Sequence, residues 1–314
     1  MKALQQIIWR VAENPSRPWA LATLVQTEGS TYRKPGARLL VDSDGGTLGV
    51  LSGGCLEEEI ARHGQNVIAD AQPVLLSFDT RRLYGCDGQL TIFVEPLPAA
   101  GQNGNLITKI GRLLRNREVC RIRTCYADGA LGSELLTFDV LLAERRGVFI
   151  DTVPLPVRLL LFGTGPEIEP ITQLCGNLGW VVEHFGHPSE LAEGFRPDAQ
   201  TAAIVMTHNF GRDLLALDRL LPLQLQYVGL LGPRKRHAEL LARLSEYRPL
   251  DFNVDGRILF GPAGLDIGSE APEEIALSIM SEVAAVLSGR RGGFLRERRS
   301  DIHPAATTAR GEAA

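Results

Sequence analysis

The chain has 314 residues and a formal net charge of −4, with 44% hydrophobic and 22% charged residues. A chain of this length favours two domains, each with its own core, and the slightly acidic balance argues against general binding to nucleic acids or anionic membranes. The five cysteines are odd in number and lack the paired spacing of zinc fingers, which favours a reducing compartment over a disulfide framework.

Residues 1–14 predict an amphipathic helix, because Leu4, Ile7, Ile8 and Val11 fall on one helical stripe. The segment lacks the apolar core and the cleavage site of a signal peptide. No apolar run in the sequence is long enough to span a bilayer. We therefore expect a cytoplasmic protein with no membrane and no nucleic-acid partner.

The first half of the chain predicts a mixed α/β domain. Apolar runs bounded by turn residues predict its strands, and helical periodicity predicts two further helices. The predicted strands cover residues 19–27, 38–41, 47–51, 73–78, 89–95, 119–126 and 134–142, and these helices cover 56–69 and 106–116. The sequence TVPLP at 152–156 predicts the domain boundary, so that the first domain spans residues 1–152.

From Val157 onward, strands and helices alternate, which is typical of a parallel, doubly wound sheet. The predicted strands cover 158–162, 180–185, 202–207 and 226–231. One predicted helix follows the first strand and ends at 178, and three others cover 212–221, 233–247 and 272–288. We therefore predict an α/β protein in which the N-terminal α/β domain is followed by a Rossmann-like, doubly wound parallel sheet at 157–295. The charged, then small and polar composition of residues 296–314 predicts a disordered tail.

Two glycine–cysteine turns are the main candidates for a functional site, LSGGCLEEEI at Leu51–Ile60 and YGCDG at Tyr84–Gly88. Cys55 is predicted to open a helix, where the partial positive charge favours an anion and makes a thiol more nucleophilic and a better metal ligand. The alternative is that Cys55 and Cys86 are small buried core residues, as free cysteines often are. Two such turns in one predicted domain favour a function.

A Gly163-x-Gly165 turn after a predicted strand suggests dinucleotide binding, because glycines let a pyrophosphate approach the backbone and the following helix. The rest of this fingerprint is missing. Ile168 stands at the third small position, and Gly186 and His187 stand where an acidic residue would bind a ribose. NAD(P) is therefore not favoured as a ligand.

His208 follows the third predicted strand of this sheet, at the carboxyl edge where doubly wound folds bind ligands. Two interpretations stay open for it, a contact with a ligand and a structural role in capping. The predicted binding crevice of the second domain is this edge, with Gly163, Gly165 and His208 as its candidate residues.

Several motifs together resemble one protein family. The first half contributes TEGSTYRKPGARLLV (27–41), GVLSGGCLEEEI (49–60) and YGCDGQLTIFVEPL (84–97), and the second half contributes LLLFGTG, THNFGRD, YVGLLGPRKRHAELL and GPAGLDIGSEAPEEIALSIMSEVAAV. In this order, and over nearly the whole chain, they resemble the xanthine dehydrogenase accessory proteins of the XdhC/CoxI type.

The resemblance implies a maturation factor, a cofactor chaperone more than a catalyst. Such a protein would bind the molybdenum cofactor, as molybdopterin or its dinucleotide form, protect it and support its sulfuration. It would deliver the cofactor to a molybdenum hydroxylase of the xanthine dehydrogenase or aldehyde oxidase type. A cysteine desulfurase is a further partner that this role implies, and the apolar face of the last predicted helix is compatible with a homo-oligomer.

The sequence departs from the family pattern in two motifs. The family's Gly-Cys-Gly-Gly turn has Asp87 in place of a glycine, and its Gly-x-Gly-His turn has Pro166 in place of the histidine. The N-terminal motifs are thus better preserved than the Rossmann turn, which argues against nucleotide-dependent behaviour of the second domain.

On this resemblance, the chemistry of the cofactor suggests residue types for each of its groups. A phosphate is bound by backbone amides and basic side chains, a pterin edge by a carboxylate, and molybdenum or sulfur by a thiolate. The candidate cofactor-binding residues of the first domain are Gly29, Ser30, Arg33, Ser52, Gly53, Gly54, Cys55, Glu57, Gly85, Cys86 and Asp87. Cys55 and Cys86 are the candidate metal ligands. Glu57 or Asp87 would bind the pterin, with helix stabilisation as the alternative for Glu57.

Two other function classes remain open. An NAD(P)-dependent oxidoreductase would use the Rossmann-like domain, and predicts bound NAD(P) and hydride transfer. A persulfide sulfurtransferase predicts a mass increment of one sulfur on Cys55 or Cys86 after treatment with a cysteine desulfurase and cysteine. For the maturation factor, no catalytic residue is assigned.

Overall fold

The structure, a computed structural model, describes residues 1–29, 31–54, 56–80, 88–101, 103–127, 129–136, 146–247 and 259–299. The chain divides into two compact units. The first contains residues 1–157 and 176–181, and the second contains residues 158–175 and the chain from 182 onward. In the described part of the chain, no helix is both long and apolar enough to cross a membrane.

The first unit contains helices on both faces of an antiparallel sheet. Its elements are α1 (Lys2–Glu13), β1 (Trp19–Gly29), β2 (Arg38–Val41), β3 (Thr47–Gly49), α2 (Glu57–Asp70), β4 (Val74–Asp79), β5 (Gly88–Leu97), α3 (Leu106–Arg115), β6 (Cys120–Cys125), β7 (Gly132–Leu135) and β8 (Val148–Val153). Five strands form one sheet in the order β3-β2-β1-β5-β4, and three form a second sheet in the order β7-β6-β8. All the pairings within these two sheets are antiparallel.

The unbroken apolar run at the start of β1 is explained by burial on both faces of the sheet. Because successive side chains of a strand point to opposite faces, Ala20, Ala22 and Leu24 pack on one face with Ile60 and Val67 of α2. The alternate side chains of β1 pack on the other face with α1, α3 and β6. The sheet is therefore held from both sides, and its strand ends are fixed positions for the loops that follow.

The second half of the chain forms the predicted doubly wound sheet. Its elements are β9 (Arg158–Gly163), α4 (Ile168–Leu178), β10 (Val181–Phe185), β11 (Thr201–Met206), α5 (Phe210–Leu220), β12 (Val228–Leu230), α6 (Arg234–Tyr247), β13 (Leu259–Phe260) and α7 (Pro272–Leu287). The strand order is β10-β9-β11-β12-β13, and β11 pairs with both β9 and β12 in parallel. The order reverses between β9 and β11, which is where such folds bind ligands.

Strand β8 was missed by the sequence reasoning, which placed a single strand at 134–142 instead. The structure has β7 at Gly132–Leu135, and residues 137–145 lie outside the described residues. Asp151 interrupts the apolar pattern of β8, and it forms an ion pair with Arg38 of β2 at 2.8 Å. The predicted tail also lies largely outside the described residues, which end at 299, after a short 3₁₀ turn at Leu295–Glu297.

Glu95 on β5 is a buried carboxyl group with an incomplete set of partners. Its Oε2 accepts a hydrogen bond from the backbone N–H of Ser133 at 2.8 Å, while the buried Oε1 has no hydrogen-bond partner among the described residues. Burial raises the pKa of Glu95, against the opposing effects of the Ser133 hydrogen bonds and the Arg38 charge. The folded state therefore holds this proton more tightly than the unfolded state, and stability falls as the pH rises through this pKa range.

Glu95→Gln is predicted to remove this fall in stability. The neutral amide keeps an oxygen for the Ser133 N–H but carries no charge to bury. At pH 8 the variant should be more stable than the wild type, and this difference should shrink as the pH falls and Glu95 becomes protonated. Urea unfolding followed by tryptophan fluorescence measures this, because all three tryptophans belong to the first unit. Glu13→Gln, at an exposed carboxyl group of α1, is the control. The same pH dependence in wild type and Glu95→Gln would contradict the assignment.

Candidate functional site

The loops that carry the predicted motifs leave the five-stranded sheet at one end. β1 ends at Gly29, which pairs with Gly88, where β5 begins. β3 and β4 run in the same direction as β1 and also end on this side, although β1, β4 and β5 extend farther than β2 and β3. The described loops at 31–37 and 50–54 follow the ends of β1 and β3, and β4 ends at Asp79, which pairs with Gln89 near the start of β5. Residues 81–87 lie outside the described residues. The topology therefore brings the three N-terminal motifs to one side of one sheet.

Glu57 closes the glycine loop that precedes α2. Its Oε1 accepts hydrogen bonds from the backbone N–H groups of Leu51 and Ser52 at 3.0 and 2.9 Å. Its Oε2 accepts from the N–H groups of Gly54 and Leu56 at 2.9 and 3.2 Å, and from the Ser52 hydroxyl at 2.5 Å. The carboxylate thus occupies the place that these amides could offer to a bound anion.

These hydrogen bonds keep Glu57 ionised. Partial burial alone would raise the pKa of Glu57, but the hydrogen bonds from Ser52 and Leu51 outweigh it and lower the pKa from 4.5 to about 2. Gly53 and Gly54 have φ angles of +83° and +111°, a region that side chains other than glycine rarely adopt. The backbone conformation of the loop therefore requires two glycines, and the hydrogen bonds to the Glu57 carboxylate stabilise it.

This geometry changes what the predicted residues of the loop can do. The N–H groups of Ser52 and Gly54 donate hydrogen bonds to Glu57, and both oxygens of Glu57 already accept hydrogen bonds. The alternative interpretation of Glu57, stabilisation of the helix start, fits these contacts. A direct contact of Glu57 with a cofactor remains a prediction, and it requires the carboxylate to leave the loop.

Tyr32 belongs to this site, although the sequence reasoning did not select it. Its side chain is 70% exposed, and its ring lies beside Gly53, where an added Cβ would be 3.6–3.7 Å from ring carbons. The Thr31 hydroxyl donates to the Arg33 carbonyl at 2.8 Å and stabilises the turn that presents the ring. Within the described residues, no atom lies within 4 Å of an added Cβ at Gly54. An aromatic residue inside the 27–41 motif was the signal that could have identified it.

Several predicted site residues cannot be placed by the structure. Those outside the described residues are Ser30, Cys55, Gly85, Cys86 and Asp87, and their roles stay predictions. Arg33 is exposed on the loop that follows Gly29. Within the described ranges, no group of three or more His, Cys, Asp or Glu side chains is arranged to hold a metal ion.

The cysteines that the structure describes are poor candidates for thiol chemistry. Cys120 and Cys175 are buried, and burial raises the pKa of the Cys120 thiol to about 11 and that of the Cys175 thiol to about 12. A thiol that stays protonated at neutral pH is a weak nucleophile and a weak metal ligand. Cys125 is half-buried on β6. Cys55 and Cys86 therefore remain the candidate reactive cysteines.

In the second unit, the glycine turn lies at the carboxyl end of β9. Gly163 has a φ angle of +141°, and a Cβ there would lie 2.3 Å from the carbonyl oxygen of Met206 on β11, so only glycine fits. The Nε2 atom of His184 on β10 lies 2.6 Å from the carbonyl oxygen of Gly163. These contacts fix the three neighbouring strands at the edge where the order of the sheet reverses.

His208 lies at the same edge, immediately after β11. Its backbone has a φ angle of +53° and its side chain is 57% exposed. Its Nε2 atom is 3.7 Å from Oε2 of Glu167, a side chain that is 8% exposed. The capping interpretation of His208 is wrong, because the side chain of Asn209 caps α5 and accepts from the Arg212 N–H at 3.0 Å. Glu167 was not selected by the sequence reasoning.

A second carboxylate at this edge was also missed. Glu190 accepts hydrogen bonds from the backbone N–H groups of Gly186 and His187 at 3.2 and 3.0 Å. It lies in a 3₁₀ turn, Pro188–Glu190, beyond the position directly after β10 where an acidic residue was sought. Because its oxygens accept from the backbone, Glu190 organises the turn after β10.

Glu57→Gln is predicted to loosen the glycine loop. A neutral amide has one acceptor oxygen and turns its NH₂ group toward N–H donors, so at least part of the set of five hydrogen bonds is lost. We expect the amides of Ser52 and Gly54 to exchange at least about tenfold faster at pH 7, and the first unit to lose about 1 kcal/mol, a small value because Glu57 is partly exposed. Hydrogen exchange and urea unfolding measure the two effects.

The matched control is Glu58→Gln, at an exposed carboxylate of the same helical turn. Because the pKa of Glu57 is lowered in the folded state, its contribution is present above pH 4.5 and is lost as the pH falls toward 2. The difference between wild type and Glu57→Gln should therefore narrow in acid. Equal exchange rates in the two variants would contradict the role assigned to Glu57.

Comparison with known proteins gives two matching family models, in chain order. The model of the XdhC and CoxI family matches residues 12–79, and that of the XdhC Rossmann domain matches residues 159–283. The first segment contains the loops at 30–37 and 50–56, and the second contains the glycine turn and His208.

Two curated relatives match along most of their length. The chain is 26% identical to a Bacillus subtilis (strain 168) protein named as a probable subunit of xanthine dehydrogenase, over 84% of this chain and 91% of that protein. It is 25% identical to the molybdenum cofactor insertion chaperone PaoD of Escherichia coli (strain K12), over 85% of this chain and 82% of that protein.

A solved structure shares the fold. A crystal structure from Bacillus halodurans, described as a xanthine dehydrogenase, matches with a TM-score of 0.77 and 23% identity, over 93% of this chain and 97% of that one. The predicted α/β fold class with a Rossmann-like sheet is thereby confirmed. The two matched segments cover more than half of the chain and contain the motifs at 27–41 and 49–60 and most of the motifs of the second half, whereas the motif at 84–97 lies between the two segments. The chain belongs to the XdhC and CoxI family.

Proposed function

We propose that this protein is a maturation factor that binds the molybdenum cofactor and delivers it to a molybdenum hydroxylase of the xanthine dehydrogenase or aldehyde oxidase type. The observation that carries the proposal is the topology of the first unit, where β1, β3 and β4 end, and β5 begins, on one side of one sheet. The motifs at these strand ends contain the residues predicted for the cofactor, with Cys55 and Cys86 among them.

The described residues near these strand ends can contact a planar ring and a phosphate of the cofactor through side chains. The backbone amides of Leu51, Ser52, Gly54 and Leu56 donate to Glu57, so they do not offer a ready phosphate site. Tyr32 beside Gly53 presents an exposed aromatic face, on which a planar ring can stack. The exposed guanidinium of Arg33, one residue away, suits a phosphate. The loop thus favours ring stacking and an arginine contact over binding by backbone amides.

Cys55 and Cys86 would supply the soft ligands. Molybdenum and sulfur favour thiolates, and the described Cys120 and Cys175 are buried with raised pKa values. When bound, the cofactor would bring the molybdenum chemistry of the client enzyme. The residues of this chain would hold it, shield it and release it.

The relatives support the direction of the proposal. One is named as a probable subunit of xanthine dehydrogenase, another is named as a molybdenum cofactor insertion chaperone, and both align along most of this chain. Support of sulfuration, with a cysteine desulfurase as a partner, is part of the proposal, as is a homo-oligomeric state. The rival NAD(P)-dependent oxidoreductase is disfavoured by the Glu167 carboxylate beside the glycine turn, because it would repel a pyrophosphate.

The predicted result is retention of the molybdenum cofactor by the wild-type protein, near one cofactor per chain, after anaerobic incubation and desalting. Molybdenum and pterin contents are measured together. Cys55→Ser or Cys86→Ser should lower retention at least about tenfold, since a serine hydroxyl is a poor ligand for a soft metal. Cys125→Ser, at a half-buried cysteine of β6, is the matched control and should retain the cofactor.

NAD(P) is added as a competitor in the same experiment. It should not displace the cofactor or remain with the protein after desalting. Absence of cofactor from the wild type, together with bound NAD(P), would overturn the proposal and support the oxidoreductase. Full retention by both serine variants would remove the cysteines from the site.

A further inference from the structure

Glu167 is a buried carboxylate with an unsatisfied oxygen at a ligand-binding edge. It directly precedes helix α4, and its side chain is 8% exposed. Its Oε2 atom is buried and has no hydrogen-bond partner among the described residues. Nε2 of His208 lies 3.7 Å from Oε2, beyond hydrogen-bond distance.

A buried carboxylate oxygen without a donor is costly, and native structures rarely leave one unexplained. This one lies between β9 and β11, where the order of the parallel strands reverses. Doubly wound folds bind ligands at this place. The unsatisfied oxygen and the reversal of strand order are independent observations that point to the same site.

The geometry excludes the ligand that such a turn usually takes. A Cβ at Gly165 would lie 2.5 Å from Oε2 of Glu167 and 2.7 Å from Nε2 of His208. These two side chains therefore fill the space through which a pyrophosphate approaches the second glycine of the turn. Glu167 also brings its own negative charge to the N-terminal end of α4, where a phosphate would otherwise be favoured.

The chemistry of the two side chains defines what does fit. An ionised carboxylate only accepts hydrogen bonds, and its two oxygens match two parallel N–H donors on one planar edge. The His208 imidazole, held after β11 by a left-handed backbone conformation, presents an exposed ring beside it. The ligand must therefore be planar, must carry adjacent N–H donors and must not place phosphate at the turn.

We propose that this edge of the second unit binds a 2-amino-4-oxopyrimidine ring, the donor edge that pterin and guanine share, through the carboxylate of Glu167 with His208 beside the ring. The inference rests on the proposed function only in that a pterin carries this edge. It assigns recognition of that edge to Glu167, since Glu57 is occupied by its own loop.

The experiment measures binding of three free compounds to the full-length protein by calorimetry: pterin, guanosine and adenosine. Adenosine is the control ligand because its ring lacks the adjacent amino and ring N–H donors. Glu167→Gln should weaken binding of pterin or guanosine at least about tenfold, since it replaces a charged acceptor with an amide. Glu169→Gln, at an exposed carboxylate that accepts from Gln173 at 3.1 Å, is the matched control and should bind like the wild type.

The pattern of binding identifies the source of the edge. Tight binding of pterin alone assigns the site to the pterin of the cofactor, and tight binding of guanosine alone assigns it to a nucleotide base. Equal binding of adenosine, no binding by the wild type, or unchanged binding by Glu167→Gln would overturn the inference. The variant removes a buried charge and should fold, which a urea midpoint no lower than that of the wild type verifies.

The test separates this inference from the proposed function. Retention of molybdenum cofactor by a wild type that binds none of the three compounds would leave the maturation role standing and remove the edge site. Guanosine binding that is lost in Glu167→Gln, in a protein that retains no molybdenum cofactor, would establish the edge site and remove the maturation role.

Discussion

The carboxylate of Glu57 is the interaction on which the N-terminal site depends. By accepting five hydrogen bonds, it converts a glycine-rich segment with two left-handed residues into one defined loop. Without an internal anion, the same amides would form an open anion site. Because Glu57 takes these amides, the loop has a fixed shape but is not free to bind other anions. In this shape Gly53 lies against the exposed ring of Tyr32.

Glu57 and Glu167 make an informative contrast. Both stand at the start of a helix, and both follow a glycine turn at the end of a sheet. Every oxygen of Glu57 is satisfied within its loop, whereas Oε2 of Glu167 is buried without a donor among the described residues. The first carboxylate is explained by the protein's own structure. We infer that a ligand explains the second, so that Glu57 shapes its own loop whereas Glu167 recognises a ligand.

Much of the architecture follows from the sequence, because burial produces apolar runs. The apolar run that forms β1 predicted a strand, and the alternation of strands and helices after Val157 predicted the parallel sheet. The order of the motifs indicated the family. Strand β8 was missed because Asp151, paired with Arg38, breaks its apolar pattern. The roles of Glu57, Glu167 and Tyr32 could not be predicted, since they depend on where side chains meet after folding. The cap at Asn209 shows the same limit one residue from the predicted His208.

In the proposed function, the three N-terminal motifs together form the cofactor site. Hydrogen exchange with and without bound molybdenum cofactor tests it most directly, because protection is read along the whole chain without mutation. We expect slower exchange in peptides from all three motifs, at 27–41, 49–60 and 84–97. Unchanged exchange in these peptides, with protection confined to residues 158–283, would contradict it.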